Sequence, residues 1–330
     1  MQITLPTRLY SDPAQFEAER RGVFAAGWQF LGREADMPRA GDYLAEEIAG
    51  YPILAVRDAQ GGLNGFHNVC RHRAGPLVDD GAGSCGQELT CRYHGWRYTL
   101  DGRLRSAVGF GVLEGFDPRA FGLHPAAVQT WRGFVFVNPD AKAAPLAHLV
   151  GPLDALFEER GIRLAPAVTR RSHEIACNWK TYVENYLEGY HIGPIHPELA
   201  AEIEVADYQV TMHGEVAIHD VPTKSGANNG LWAWLWPNLA INVFRYGLMV
   251  EHMKPLGPDC TRLDYLYFHE EGDDMAAILE ASDQLTGQDR DICEAVQRNL
   301  NAGVYQTGVL SPRHEGAVGW FQNRIAELNA

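Results

Sequence analysis

Four residues able to bind a transition metal, Cys70, His72, Cys91 and His94, fall within "CRHRAGPLVDDGAGSCGQELTCRYH", in a chain with only six cysteines and thirteen histidines. The order is Cys-x-His, eighteen intervening residues, then Cys-x-x-His. A common zinc-finger order gives two cysteines and then two histidines. Here each end supplies one sulfur and one nitrogen, which suits a two-iron, two-sulfide cluster gripped by two facing loops, both cysteines on one iron and both histidines on the other. Neutral imidazoles in place of two thiolates raise the potential to roughly -150 mV or above, against about -400 mV for all-cysteine plant-type clusters. A mononuclear zinc site built from the same four residues is the alternative on ligand chemistry alone.

A second constellation lies in "YLEGYHIGPIH". His191 and His196 flank a Gly193-Pro194 break, so their rings can converge from a helix end and a loop instead of one helical face. Two histidines joined by one carboxylate leave up to three positions open on an octahedral iron. Two nearby histidines by themselves are equally consistent with a structural pair.

The elements that must position these groups change character along the chain. "PAQFEAERRGVFAAGW" has helical spacing, and "YPILAVRD", "GLNGFHNVC", "ELTCRYHGWRYTLDG" and "WRGFVFVNPD" are short strand-like runs bounded by turn residues. They predict an N-terminal helical segment over 1–40, packing on the C-terminal part of the chain, and a small, mostly β unit over 41–145. In the remainder, 146–330, "CNWKTYVENYLEGYH" has an apolar helical face. "QVTMHGEVAIH", "LAINVFRYGLMVEHMKP" and "TRLDYLYFHE" read as strands, and 272–301 as a long helix.

With these motifs in place, the chain resembles the large (alpha) subunit of the Rieske non-heme iron oxygenases, the ring-hydroxylating oxygenase family. Cys70, His72, Cys91 and His94 look like the Rieske signature, with Trp96 as the aromatic residue two places after the second histidine. Spacing between the two halves is slightly long, placing a small insertion near "DDGAGS", and Cys85 within it has no assigned role. Asn178, Trp179, Lys180, Glu188, His191 and His196 match the start and the histidine pair of the catalytic motif. The resemblance implies an α+β chain, a small all-β Rieske iron-sulfur domain followed by a helix-grip catalytic domain with a large antiparallel sheet. It also implies a distant carboxylate as third iron ligand: Asp289, placed before Cys293, Glu294 and Gln297, with Asp291 as fallback. Glu188 then takes the place of the acidic bridge, commonly aspartate, between His191 and His94 of a neighbouring subunit, which implies a head-to-tail homotrimer.

The implied activity is that of a terminal oxygenase, a monooxygenase or dioxygenase using O2. A separate NAD(P)H-dependent reductase, with or without a ferredoxin, supplies its electrons; a beta subunit is left open. "NWKTYVENYLEGYH" and "CEAVQ" look closest to the choline, glycine betaine and carnitine oxygenases. Hydroxylation or N-demethylation of a small organic substrate, such as a quaternary ammonium compound, is therefore expected. Aromatic-ring dihydroxylation to a cis-dihydrodiol is the enzymatic rival, and a Rieske electron carrier lacking the mononuclear iron is the alternative of another class. Trp232, Trp234 and Trp236 recur with period two and could wall a substrate pocket by cation-π attraction, or simply form an apolar sheet face.

Composition narrows the partners. A formal net charge of -14 repels a phosphate backbone, so nucleic acid is not expected. Six dilute cysteines argue against a disulfide scaffold. The first residues show no basic-then-apolar leader, and no apolar run is long enough to span a bilayer. The expectation is a cytoplasmic protein without a membrane anchor.

Overall fold

Alternating apolar residues between glycine turns place "YPILAVRD" at the centre of a sheet, and the computed structural model, which describes residues 2–225, 230–244 and 247–328, has Ile53 to Val56 fully buried there. The chain divides into two compact units, residues 20–148 in one, residues 1–19 with 149–330 in the other. Of the expected 1–40 segment, only the first nineteen residues group with the C-terminal part.

The 20–148 unit carries β1 (Gln29–Arg33), β2 (Asp42–Ile48), β3 (Tyr51–Arg57), β4 (Leu63–His67), β5 (Gly81–Ser84), β6 (Glu88–Thr90), β7 (Trp96–Thr99), β8 (Leu104–Ala107), β9 (Pro125–Trp131) and β10 (Phe134–Asn138). Among the described residues they form a seven-stranded sheet, β1-β10-β9-β4-β3-β2-β5, and a three-stranded sheet, β6-β7-β8. The insertion near "DDGAGS" is β5, paired antiparallel with β2. Its Gly83 is required by close approach, because a Cβ there would sit 2.6 Å from the Tyr43 hydroxyl. Cys85 follows this strand and donates to the Gly41 carbonyl at 3.2 Å; burial pushes its thiol up to about 11, so it is an inert structural thiol.

The second unit opens with α1 (Arg8–Ser11) and α2 (Pro13–Glu19), and resumes with α3 (Ala147–Glu159), which begins just before its 149 boundary. β11 (Ala167–Ile175) leads into α4 (Trp179–Tyr186), α5 (Ile192–Ile195) and α6 (Pro197–Glu202). Strands β12 (Gln209–His213), β13 (Val216–Val221), β14 (Gly230–Leu235), β15 (Leu239–Phe244), β16 (Gly247–Gly257) and β17 (Cys260–His269) follow. They make an antiparallel sheet, β11-β17-β16-β15-β14-β13-β12, closed off by α7 (Ala276–Asn301) and α8 (Gly316–Glu327). The fold is α+β, comprising a small β domain and a domain built on one large antiparallel sheet.

Helix α7 shows why one of two neighbouring acids turns inward. Its buried residues Leu279, Thr286, Asp289, Cys293, Gln297 and Leu300 recur at steps of three, four and seven, one face of a 3.6-residue helix. Asp289 belongs to that face, whereas the Asp291 side chain is 73% exposed and paired with Arg290. None of the helices among the described residues is long and apolar enough to cross a membrane.

Candidate metal centres

Two loops of the small domain have the same design. In each, a cysteine N–H donates to the carbonyl five residues on, Cys70 to Gly75 at 2.9 Å and Cys91 to Trp96 at 2.8 Å. Each cysteine carbonyl in turn accepts from the residue four places on, Ala74 at 3.0 Å and Gly95 at 2.9 Å. Those two residues, Ala74 (φ 56°) and Gly95 (φ 68°), take the left-handed conformation that turns each loop back on itself. The loops face each other so closely that a Cβ at Gly75 would lie 2.9 Å from the Cys91 sulfur.

The side chains sort by depth. Both thiols are 2% exposed, while His72 is half-buried and His94 exposed, their ring centroids 4.5 Å apart. Trp96 stacks on His72 at 4.9 Å with planes 7° apart, and Phe110 closes the edge of that indole at 5.4 Å. His72 Nδ1 is buried without a hydrogen-bond partner. Burial and the neighbouring Cys70 raise the Cys91 thiol above its ordinary value, so two thiolates here need a cation to compensate them. An orphaned imidazole nitrogen beside two crowded sulfurs fits a bound metal cluster.

The second site is assembled from α4, the turn after it, and α7. Asn178 caps α4 by accepting from the Lys180 N–H at 3.0 Å, and its own N–H donates to Gln297 at 2.9 Å. Glu294 accepts from the Ala176 N–H at 3.1 Å, so Glu294 and Gln297 fasten α7 to the start of α4. At the other end of α4, Asn185 donates to Asp289 Oδ1 at 2.8 Å.

The helix expected to continue through Tyr190 stops at Tyr186. Gly189 then packs against the ring of Tyr208, with no room for a Cβ, which would lie 2.3 Å from that ring. Past the helix end, Glu188 Oε2 accepts the N–H groups of Tyr190 and, at 3.2 Å, His191, while Oε1 lies 2.5 Å from His191 Nδ1. The chain then delivers His196 between α5 and α6, 2% exposed.

Both histidines turn their Nε2 atoms to Asp289 Oδ1, His196 at 3.0 Å and His191 at 3.7 Å. One ligand atom from each of the three lies within 4.8 Å of the others, a donor set and spacing that fit a 2-His-1-carboxylate iron. Burial works against a charged His196, but Asp289 and Gln288 outweigh it and hold the ring above its ordinary pKa. Gln288 Oε1 lies 2.7 Å from His196 Nδ1. Sequence reasoning missed Asn185 and Gln288, and it missed Tyr98, whose hydroxyl reaches Cys70.

The three tryptophans do not share one environment. Trp234 and Trp236 pack on Trp320 and Phe321 of α8 at 5.9 to 6.4 Å, as part of the core. Trp232 instead lies 6.2 Å from Tyr208, against the apolar cluster that contains Ile192, next to His191.

Residues 27–116 match the Rieske [2Fe-2S] domain, and residues 165–228 and 201–330 match the catalytic domain of the ring hydroxylating alpha subunit. The carnitine monooxygenase oxygenase subunit of Escherichia coli (strain K12) is 32% identical, over 92% of this chain and 86% of that protein. The chloroplastic choline monooxygenase of Beta vulgaris is 30% identical, over 93% of this chain and 72% of that protein. The crystal structure of the quaternary ammonium Rieske monooxygenase CntA with L-carnitine has 28% identity and a TM-score of 0.86, covering 99% of this chain and 96% of that one. By motif, fold and relatedness alike, the chain belongs to the Rieske non-heme iron oxygenases, an enzyme joining a [2Fe-2S] domain to a catalytic domain for mononuclear iron.

Proposed function

We propose that this terminal oxygenase hydroxylates a carbon bound to nitrogen in a small quaternary ammonium compound. Electrons would come from NAD(P)H through a separate reductase. The observation that carries the reading is the convergence of His191, His196 and Asp289 in a chain related to carnitine and choline monooxygenases. Cys70 and Cys91 would hold one iron of the cluster, His72 and His94 the other, and His191, His196 and Asp289 the mononuclear iron. When bound, the cluster supplies single electrons and the iron supplies the place where dioxygen is reduced.

The chain's own residues do the positioning. Glu188 holds His191 through Nδ1 and the backbone N–H, and its carboxylate is the coupling group toward His94 of a neighbouring subunit in a head-to-tail trimer. The buried loop thiols and the Trp96 stack keep water from the sulfur side of the first centre. Of the aromatic residues near His191, half-buried Trp232 is the one assigned to meet an ammonium head, an attraction of about 2 kcal/mol when desolvated. Trp234 and Trp236 are assigned to the core instead. The balanced reaction inserts one oxygen atom of O2 into a C–H bond, and two electrons and two protons reduce the other to water. The C–N bond at the hydroxylated carbon then breaks with its electron pair staying on nitrogen and the hydroxyl proton released, giving a tertiary amine and a carbonyl compound, formaldehyde when the carbon is a methyl.

Metal and sulfide analysis tests the assignment. About three irons and two labile sulfides per chain are expected, falling to about two irons in Asp289→Ala with sulfide unchanged. Two irons in the native chain would indicate an electron carrier. A panel of betaine-like substrates under labelled O2 with a competent reductase tests the chemistry, and a cis-dihydrodiol product would overturn it.

A further inference from the structure

We propose that Gln288 is a positioning residue that fixes the tautomer of His196 and does so without adding charge; this rests on the reading of His196 as an iron ligand. His196 sits in a tight link between two short helices, and its backbone N–H is spent on the Ile192 carbonyl at 2.9 Å. The ring is oriented by two contacts, Gln288 Oε1 at Nδ1 (2.7 Å) and Asp289 Oδ1 at Nε2 (3.0 Å). A side-chain amide oxygen only accepts, so it selects hydrogen on Nδ1 and keeps Nε2, which faces Asp289 and His191, as the nitrogen free to give its lone pair to a metal. Were the amide nitrogen turned to the ring instead, Nε2 would carry the proton and could not bind metal. Gln288 and Asp289 are consecutive on α7, so one peptide unit sets the spacing between the acid and the group that aims the imidazole beside it.

The other histidine is held differently. His191 Nδ1 meets a carboxylate, Glu188 Oε1, at 2.5 Å. Asp289 and Glu188 already place two carboxylates at the ferrous position, and Glu198 acts on His196 from nearby. A further carboxylate at 288 would add negative charge and favour the ferric state, whereas an amide provides the same acceptor geometry neutrally.

The experiment measures dissociation constants of the mononuclear site for Co(II) and Fe(II) by competition with a chromophoric chelator. It uses full-length protein in which the visible spectrum of the [2Fe-2S] cluster confirms an intact fold. Gln288→Met, similar in shape but without an acceptor, is expected to weaken binding roughly 10- to 100-fold, and Gln288→Glu, which restores the acceptor, to bind within a few-fold of the parent. Parental affinity in Gln288→Met overturns the proposal, as does a Gln288→Glu protein as weak as Gln288→Met. The ferric/ferrous midpoint of Gln288→Glu is expected to move to more negative potential; an unchanged or more positive value overturns the argument from charge. His196→Ala separates the two levels of inference, because parental affinity in that variant would overturn the ligand assignment itself.

Discussion

The phenolic oxygen of Tyr98 lies 3.2 Å from the Cys70 sulfur and accepts the Arg71 backbone N–H at 3.1 Å, so its own proton points to the sulfur. Burial and the neighbouring Cys70 hold the Tyr98 pKa far above its ordinary value, and the hydroxyl remains a donor at any working pH. Hydrogen bonds to cluster sulfurs stabilise the more negative, reduced state and raise the potential. Tyr98→Phe is therefore expected to lower the cluster midpoint by about 60 mV if the bond is about 1.4 kcal/mol stronger in the reduced state. Spectroelectrochemistry of the visible cluster bands reads this directly. A midpoint equal to the parent's would show that the proton points elsewhere.

Gly75→Ala places a methyl 2.9 Å from the Cys91 sulfur and 3.0 Å from the Tyr93 Cβ. The two facing loops would have to separate, so the variant is expected to lose labile sulfide and cluster absorbance while keeping mononuclear metal. Full sulfide content in the purified variant would refute the close-approach argument.

Glu188→Ala removes the carboxylate that holds His191 Nδ1 at 2.5 Å and its N–H at 3.2 Å, but leaves His191, His196 and Asp289 in the chain. The cluster should remain and the mononuclear site, its affinity lowered by loss of the His191 Nδ1 partner, should still fill at saturating Fe(II), while reductase-driven product formation falls by about 100-fold, the scale on which misplaced reacting groups act. Normal coupled turnover would remove Glu188 from the electron route.

Lys180 and Glu19 are each fully buried, Nζ and Oε1 2.7 Å apart; Glu19 also accepts from Trp179 Nε1 at 2.8 Å and Gln15 at 3.0 Å. Coulombic attraction and a hydrogen bond to Glu19 both favour the charged ammonium. Burial lowers the Lys180 pKa against the pull of Glu19. Lys180→Met strands the carboxylate and should cost about 3–5 kcal/mol in urea unfolding. The double variant Glu19→Gln/Lys180→Met keeps the acceptor for Trp179 without the charge and should recover most of that loss. Additive losses would contradict the pairing.

Glu251, 4% exposed, accepts from Tyr182 at 2.7 Å and Tyr265 at 3.0 Å, and burial pushes its pKa up to about 7. The folded state then holds a proton that the unfolded chain releases near 4.5. The stability contributed by this group is complete below that pH and declines as pH rises to about 7, by about 1.4 kcal/mol per unit. Glu251→Gln keeps an acceptor for both tyrosines and should make the urea-unfolding profile between pH 5 and 7 less steep by that amount, leaving the share of Glu184, which burial also pushes up to about 7. An unaltered slope would place the titrating group elsewhere.

Long periodic segments were legible in the sequence because burial and period coincide there. The helix read over 272–301 forms as Ala276–Asn301, and "QVTMHGEVAIH" becomes β12 and β13. The helix through "NWKTYVENYLEGYH" ended four residues early because tertiary packing, the Tyr208 ring against Gly189, overrode a periodic pattern. The ligand types of both centres were readable because thiolate, imidazole and carboxylate at such spacings have few other uses. Choosing Asp289 over Asp291 from residues alone needed the buried face of α7, which only packing defines. Trp96 and Tyr98 alternate with exposed Arg97, a signal of one buried strand face that could have exposed Tyr98 as a cluster neighbour. Gln288 carried no such signal, since a glutamine beside an aspartate is ordinary helix surface until a ring from another segment meets it. The tryptophans left two readings open for a different reason. Period two fixes a face, but whether that face meets α8 or open volume depends on a helix far along the chain.

Residues 1–19 complete the unit formed by 149–330, with Leu5, Leu9, Tyr10, Gln15 and Glu19 all buried and Ile3 bridged to Val309. No single cut can therefore release an intact catalytic fragment. A piece starting at 149 would bare the surface under α1 and α2 and take from the Lys180 ammonium its nearest carboxylate, Glu19. Dissection of this enzyme calls for excising the middle and rejoining the flanks, so that the first nineteen residues travel with the half they close.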